Sequence, residues 1–156
     1  MMRAEILQPV AVLVAWSMIM WVWLYATRLP AMSRAKIDGL KMVGSTGRGL
    51  RDDMAAAGER KASWVADNYN HLMEQPTIFY AAAFTLALLG LGNGFNATLA
   101  WIYVSARIAH SLVQITSNRV VYRFALHALG TLPLIVLAAQ ALFAAFDIHS
   151  SGASYT

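Results

Sequence analysis

The chain has 156 residues, of which 58% are hydrophobic and 13% charged, with a formal net charge of +4. Soluble domains carry about 25% charged residues, so this composition favours a membrane protein. The absence of cysteine excludes disulfide frameworks, thiolate metal sites and cysteine nucleophiles. Any thiol chemistry would need a thiol brought by a ligand. At this length we expect one domain, covering residues 1–156.

Charge-free runs predict the membrane spans. The first run, 6–27, is long enough for one crossing at the rise of an α-helix, and it is too long for the apolar core of a signal peptide. The run 75–106 exceeds one crossing and is interrupted by Gly90-Leu-Gly-Asn-Gly94, which predicts a tight turn. We therefore predict an all-α integral membrane four-helix bundle, with spans at about 6–28, 70–90, 96–116 and 120–146.

The distribution of lysine and arginine predicts the orientation of these spans. Of the 12 basic residues, all but Arg3 fall in the segment 28–63 or in and around the third-to-fourth connection. By the positive-inside rule both connections are cytoplasmic and both termini lie outside. The long connection, 29–62, is basic and bears glycines; holding the topology and contacting anionic lipid explain its charge. No nucleic-acid-binding module accompanies the basic residues, so nucleic acid is not an expected partner.

Polar side chains recur at helical spacing inside three of the predicted helices. Each set shares one face of its helix. The second helix carries Asp67, Asn70, His71 and Glu74, the third carries Arg107, His110, Ser111 and Gln114, and the fourth carries Arg119, Arg123 and His127. From the helical rise, Glu74, His110, Gln114 and His127 lie about 22 to 28 Å from the outer helix ends. All three faces thus reach one level near the cytoplasmic boundary.

Charged groups at that depth should face the bundle interior or a wet cavity, and they should be paired. One interpretation is structural, with an ion pair such as Arg107–Glu74 fixing the packing and Arg119 extending to the interface. Metal binding is disfavoured, because the histidines lack ligand spacing and the interleaved arginines repel a cation. The other interpretation is a site for an anion, because arginine pairs bidentately with carboxylates. Glu74 and Asn70 would then bind an ammonium or amide of the same ligand.

Glutathione meets these requirements, and a guanidinium beside its sulfur would stabilise the reactive thiolate. The motif Arg107-Ile-Ala-His110-Ser111, followed by Asn118-Arg119-Val-Val-Tyr122-Arg123, resembles the MAPEG family (membrane-associated proteins in eicosanoid and glutathione metabolism), of a bacterial type. The resemblance extends over most of the chain. It implies a homotrimer in a membrane, here expected to be the bacterial inner membrane, with glutathione between subunits near the cytoplasmic side.

The resemblance also implies roles for individual residues. Arg123 matches the arginine proposed to stabilise the thiolate and is the catalytic candidate. Gln114 and Phe124 stand where glutathione-using members often carry hydroxyl-bearing residues. The predicted ligand-binding residues are Asn70, Glu74, Arg107, His110, Arg119 and His127.

The sequence leaves three functions open. The first is a glutathione-binding protein with transferase or peroxidase activity toward a small lipophilic electrophile. The second is a non-catalytic membrane module whose polar faces hold helices and subunits together. The third is a lipid- or metabolite-binding protein on the same fold. Membrane lipids are expected partners in each case.

Overall fold

A computed structural model describes residues 4–39, 41, 42, 44 and 46–151, with side chains as far as Phe146. Arg3, the basic residue predicted on the outer side, lies outside the described residues. The described part is all-helical and has five helices, which run in the order α1 Leu7–Arg34, α2 Gly47–Ala56, α3 Arg60–Leu88, α4 Phe95–Thr116 and α5 Val120–Ser151. The four long helices overlap the four predicted spans in chain order.

The first helix buries a narrow seam and exposes apolar side chains elsewhere. Its buried positions Val10, Leu13, Ser17, Met20 and Leu24 follow a three- and four-residue spacing, as on one face of a helix. The opposite face is also apolar, with Val14, Met18 and Val22 among its exposed residues. A helix that is hydrophobic on all sides suits a lipid environment rather than water.

Two helices are long and apolar enough to cross a membrane by length and composition: Leu7–Arg34, and α5 as far as Phe146. In each, only 28% of the most apolar window is buried inside the chain. The core helix of a soluble protein is mostly buried, so these helices need another apolar environment.

A glycine turn joins α3 to α4 and is fastened to the start of the chain. Gly90 and Gly94 both have positive φ, which glycine adopts without strain. The backbone N–H of Ile6 donates to the Gly92 carbonyl at 2.8 Å, and the Glu5 carboxylate accepts from the Gly94 N–H at 3.1 Å. A Cβ at Gly92 would lie 2.8 Å from side-chain carbons of Ala4 and Ile6, so only glycine fits this approach.

The predicted connection 29–62 contains the short helix α2. The Thr46 hydroxyl accepts from the Gly49 N–H at the start of α2, which is a side-chain N-cap. The helix buries Met54 against Ala31 of α1 and Ala62 of α3. The connection therefore folds back against the bundle and brings its basic residues to the ends of α1 and α3.

Candidate functional site

The site begins where the buried face of α4 changes from apolar to polar. Ala100 and Tyr103 lie in the main hydrophobic core, and Tyr103 stacks on Phe79 with ring centroids 4.5 Å apart. One turn further, the same face carries Arg107, which is 2% exposed, and then His110, 5% exposed. The helical period keeps these side chains on the seam, so their polar groups must find partners inside the bundle.

Arg107 finds those partners on α3 and α5. Its guanidinium donates to the His71 carbonyl oxygen at 2.7 Å and to the Gln75 side-chain oxygen at 3.5 Å. A further contact of 3.2 Å joins it to Nδ1 of His127. Pro76 cannot donate to the neighbouring Leu72 carbonyl, so the helix is already short of a donor here. The Arg107–Glu74 ion pair that we considered does not form, since Glu74 is in no ion pair of the described chain and is exposed.

Three histidines form a row beside Arg107. The ring centroids of His71 and His110 are 6.2 Å apart, and those of His110 and His127 are 6.1 Å apart. Nδ1 of His71 lies 3.1 Å from the Gln114 side-chain oxygen. Because a carbonyl oxygen only accepts, Nδ1 of His71 carries the proton in this contact, and Nε2 is left as an acceptor.

A cavity of about 650 Å³ opens among α1, α2, α3 and the start of α5, and we call it the basic cavity. Four arginines line it, against the two carboxylates of Asp67 and Glu74, so its lining is cationic. Asp67 already pairs with Arg51 of α2 at 3.4 Å, whereas Glu74 is in no ion pair of the described chain. Its charged lining residues are Arg28, Arg48, Arg51, Arg123, Asp67 and Glu74.

A smaller cavity of about 290 Å³ lies on the flank of α3, α4 and α5, and we call it the flank cavity. Val120 and Phe124 give it an apolar side, and both are strongly exposed on the outer surface of α5. Its polar side comes from Arg107 and the three histidines. His71, Glu74 and Arg123 line both cavities, so the two spaces meet at these residues.

Arg123 is held at that junction by the turn before α5. Asn118 has φ +50, a left-handed conformation that asparagine adopts more readily than most residues. Its side-chain oxygen accepts from Nη1 of Arg123 at 2.7 Å. Nε of Arg123 is buried without a hydrogen-bond partner in the described chain. The guanidinium is thus oriented by one contact and keeps donor capacity for a ligand.

The predicted site residues are distributed unequally. Arg107, His110 and His127 line the flank cavity, Asn70 lines the basic cavity, and Glu74 and Arg123 line both. Arg119 lines neither. It immediately precedes the first residue of α5, where its carbonyl accepts from the Arg123 N–H.

Two groups of lining residues were not among the predicted ligands. Arg28, Arg48 and Arg51 were attributed to topology, yet the return of α2 places them in the basic cavity. His71 was placed on the polar face of the second helix but not chosen, although it lines both cavities. For His71 the i, i+4 spacing from Asp67 was an available signal, whereas no local pattern places α2 beside α3.

Outside the membrane-spanning segments, one ion pair ties α1 to α3. Nε of Arg34 donates to the Glu59 carboxylate at 2.6 Å, and a second bond from Nη2 measures 2.9 Å. These bonds lower the pKa of Glu59 below its ordinary 4.5 and raise that of Arg34. The pair closes the connection that carries α2, on the side away from the glycine turn.

The comparisons with known proteins agree with this architecture. The model of the MAPEG family matches residues 6–143, which is nearly the whole chain and includes both cavities. No curated protein and no solved structure matches the chain significantly. The match includes the motif from Arg107 to Arg123 on which the resemblance was based. The chain therefore belongs to the MAPEG family and is a membrane protein of that family.

Proposed function

We propose that this protein binds glutathione, or a similar small anion, in the basic cavity and presents it to a lipophilic electrophile in the flank cavity. The observation that carries the proposal is the lining of the basic cavity, with four arginines against two carboxylates in about 650 Å³. An excess of guanidinium groups over carboxylates in a partly enclosed space selects for an anion.

The residues present fit the groups of glutathione. Its two carboxylates would meet Arg28, Arg48 and Arg51, which offer planar donors for bidentate pairing. Its ammonium would meet Glu74, which is in no ion pair of the described chain, and Asn70 offers a neutral hydrogen-bonding group nearby. Bound glutathione would supply the thiol that the chain lacks.

Arg123 is the residue that we assign to the sulfur end of the site. It lines both cavities, and its buried Nε has no partner in the described chain. A guanidinium beside a thiol favours the thiolate. His71 is beside it, with Nδ1 bonded to Gln114, so Nε2 is free to accept a proton. Arg123 would stabilise the negative charge of the thiolate, and His71 would receive the proton of the thiol.

The flank cavity supports a transferase or peroxidase activity toward an apolar partner. Its apolar side, formed by Val120 and Phe124, is on the exposed surface of α5, from which a lipid-soluble molecule can enter. Its junction with the basic cavity at Arg123 would bring such a molecule to the sulfur.

The proposal includes a multi-pass topology and an assembly. α3 and α4, with 29 and 22 residues, are each long enough for a crossing, and α4 buries its polar residues Arg107, His110 and Gln114, so we propose four crossings with both termini outside. The basic ends of α1 and α2 would then face the cytoplasm of a bacterial cell. Exposed Val120, Val121 and Phe124 provide an apolar surface for lipid or for neighbouring subunits of a homotrimer.

One observation favours a second candidate function, a non-catalytic module. Arg107 is almost fully buried and bonds to groups of α3 and α5, as expected of a residue that holds helices together. The two functions differ in their ligand: the module would retain its stability network and bind no glutathione.

The test is a calorimetric titration of glutathione into the detergent-solubilised protein. We expect binding by the wild type and at least a tenfold loss of affinity in Arg123→Ala, since hydrogen bonds to charged groups contribute about 1.5–3 kcal/mol each. Arg60→Ala is the matched control, because Arg60 is exposed at the start of α3 and lines neither cavity. Absence of binding by a folded wild type would contradict the proposal.

A further inference from the structure

His127, which lines the flank cavity, is a hydrogen-bond donor whose tautomer is set by its neighbour Arg107. Nδ1 of His127 lies 3.2 Å from Nη1 of Arg107. Arginine has only donors, so in this contact Nδ1 of His127 must accept. A histidine ring that accepts at Nδ1 carries its proton at Nε2. Arg107 thus sets the tautomer of His127.

The partner that sets this tautomer is itself firmly held. Arg107 is 2% exposed and also donates to the His71 carbonyl at 2.7 Å. Gln75 anchors the same region, because its amide nitrogen donates to the Thr131 hydroxyl at 2.9 Å. Thr131 in turn donates to the His127 carbonyl at 2.7 Å, so His127 is tied to α3 through its backbone as well. The ring is therefore presented in a defined orientation.

The Nε2–H of His127 has no hydrogen-bond partner within the described chain, where the ring makes a polar contact with Arg107 and a ring contact with His110. The His127 side chain is exposed and lines the flank cavity from the same face of α5 as the apolar side chains of Val120 and Phe124. A hydrocarbon in this cavity would not pair with the donor, whereas a ligand that offers an acceptor would form a hydrogen bond with it. An apolar ligand without an acceptor would leave the donor unpaired.

From this geometry we infer that the flank cavity is a binding site for apolar molecules that carry an acceptor oxygen, which Nε2–H of His127 hydrogen-bonds. A ketone, an enone or a lipid hydroperoxide has this chemistry, whereas a hydrocarbon or an alkyl halide does not. The inference rests on the proposed function in taking this cavity as the site of the lipophilic partner. It narrows that partner to oxygen-bearing molecules, and His127 acts as a donor that positions them.

The experiment uses 2-octanone, an unreactive ketone, and octane as its matched hydrocarbon, with the full-length protein in detergent and no glutathione present. We expect the ketone to bind more tightly than octane by roughly fivefold, the value of one hydrogen bond. The infrared carbonyl band of bound ketone should move to lower wavenumber than in an empty micelle. His127→Leu should abolish both the preference and the band shift, while octane binding is retained.

Two further variants keep the inference falsifiable if His127→Leu fails to fold. His127→Gln retains an amide donor and should keep part of the band shift. Tyr122→Phe removes a hydroxyl from the same helix, at a residue that lines neither cavity, and should leave the band unchanged. Equal affinity for ketone and octane, or a band shift that survives in His127→Leu, would overturn the inference.

The outcomes separate this inference from the proposed function. A protein that binds glutathione but shows no ketone preference contradicts only the role of His127. A protein that prefers the ketone through His127 but binds no glutathione contradicts only the anion site. The ¹⁵N spectrum of labelled histidine gives an independent reading, because the resonance lost in His127→Gln should belong to a ring unprotonated at Nδ1. A His127 ring protonated at Nδ1 would also overturn the inference.

Discussion

The two halves of α4 share one buried face, but their buried side chains are stabilised by different interactions. In the apolar half, residues 95–106, Ala100 and Tyr103 are buried by packing against the core. In the polar half, residues 107–116, Arg107, His110 and Gln114 are equally buried, and Arg107 and Gln114 are stabilised by hydrogen bonds to α3 and α5. No residue of the packed half lines the basic cavity or the flank cavity, whereas Arg107 and His110 of the polar half line the flank cavity. A site arises where hydrogen bonding replaces close packing.

The largest effect on stability is expected from a substitution that removes hydrogen bonds of the polar half. Arg107→Met preserves much of the side-chain length but removes the donors to the His71 carbonyl and to His127. We expect the free energy of unfolding to fall by about 2–4 kcal/mol, because buried acceptors lose charged partners. Thermal unfolding in detergent measures this, with Arg60→Met as the exposed control. Equal stability of Arg107→Met and wild type would contradict the account of this half.

The next effect tests whether packing governs the other end of the bundle. A Cβ at Gly92 would lie 2.8 Å from Ala4 and Ile6 side-chain carbons and 3.2 Å from the Ala87 Cα. Gly92→Val should therefore destabilise the protein by about 1–3 kcal/mol through overpacking. Gly47→Val is the comparison, since no atom lies within 4 Å of a Cβ there. A similar unfolding temperature for both variants would argue against the close approach.

A third substitution should not lower the free energy of unfolding, in contrast to Arg107→Met. The Tyr103 hydroxyl is buried in the apolar half without a hydrogen-bond partner in the described chain. Tyr103→Phe keeps the stacking on Phe79 and removes the unpaired group, so we expect stability to be unchanged or raised by up to about 1 kcal/mol. Thermal unfolding beside Arg107→Met gives the contrast directly. A loss above about 1 kcal/mol would show that this half also depends on a polar contact.

The smallest effect is expected at the exposed ion pair between Arg34 and Glu59, outside both halves. Hydrogen bonds from Arg34 lower the pKa of Glu59 below 4.5. A lowered folded-state pKa means that the stabilisation is present above the unfolded value and is lost as pH falls through the folded value. Glu59→Gln should thus lower the unfolding temperature slightly at neutral pH and leave it unchanged well below pH 4.5. The same difference at both pH values would exclude the ion pair as its cause.

Helical periodicity explains how much of this site could be predicted. The spacing of Arg107, His110 and Gln114 places them on one face, and the structure buries all three. Periodicity did not distinguish Arg119, which immediately precedes α5 and lines neither cavity, from Arg123, which lines both. Periodicity along one helix also does not predict how α3 is rotated relative to α4. Glu74 was therefore considered as the partner of Arg107, but Arg107 bonds to the His71 carbonyl and Gln75 instead.

The basic connection shows the other limit of sequence reasoning. Arg48 and Arg51 lie on a helix of 10 residues whose place is set by Met54, buried against α1 and α3. That contact is between segments distant in sequence, so no local pattern predicts it. The charge of the connection was visible, but its position over the basic cavity depends on tertiary packing.

The central claim is that the basic cavity binds a thiol-bearing anion beside Arg123, and thiolate absorbance tests it most directly. The ultraviolet difference spectrum of glutathione with the wild-type protein at neutral pH should show a thiolate band. Arg123→Ala should lose that band, and Arg60→Ala should retain it. A wild-type protein that binds glutathione without a thiolate band, or an Arg123→Ala protein that keeps the band, would contradict the account.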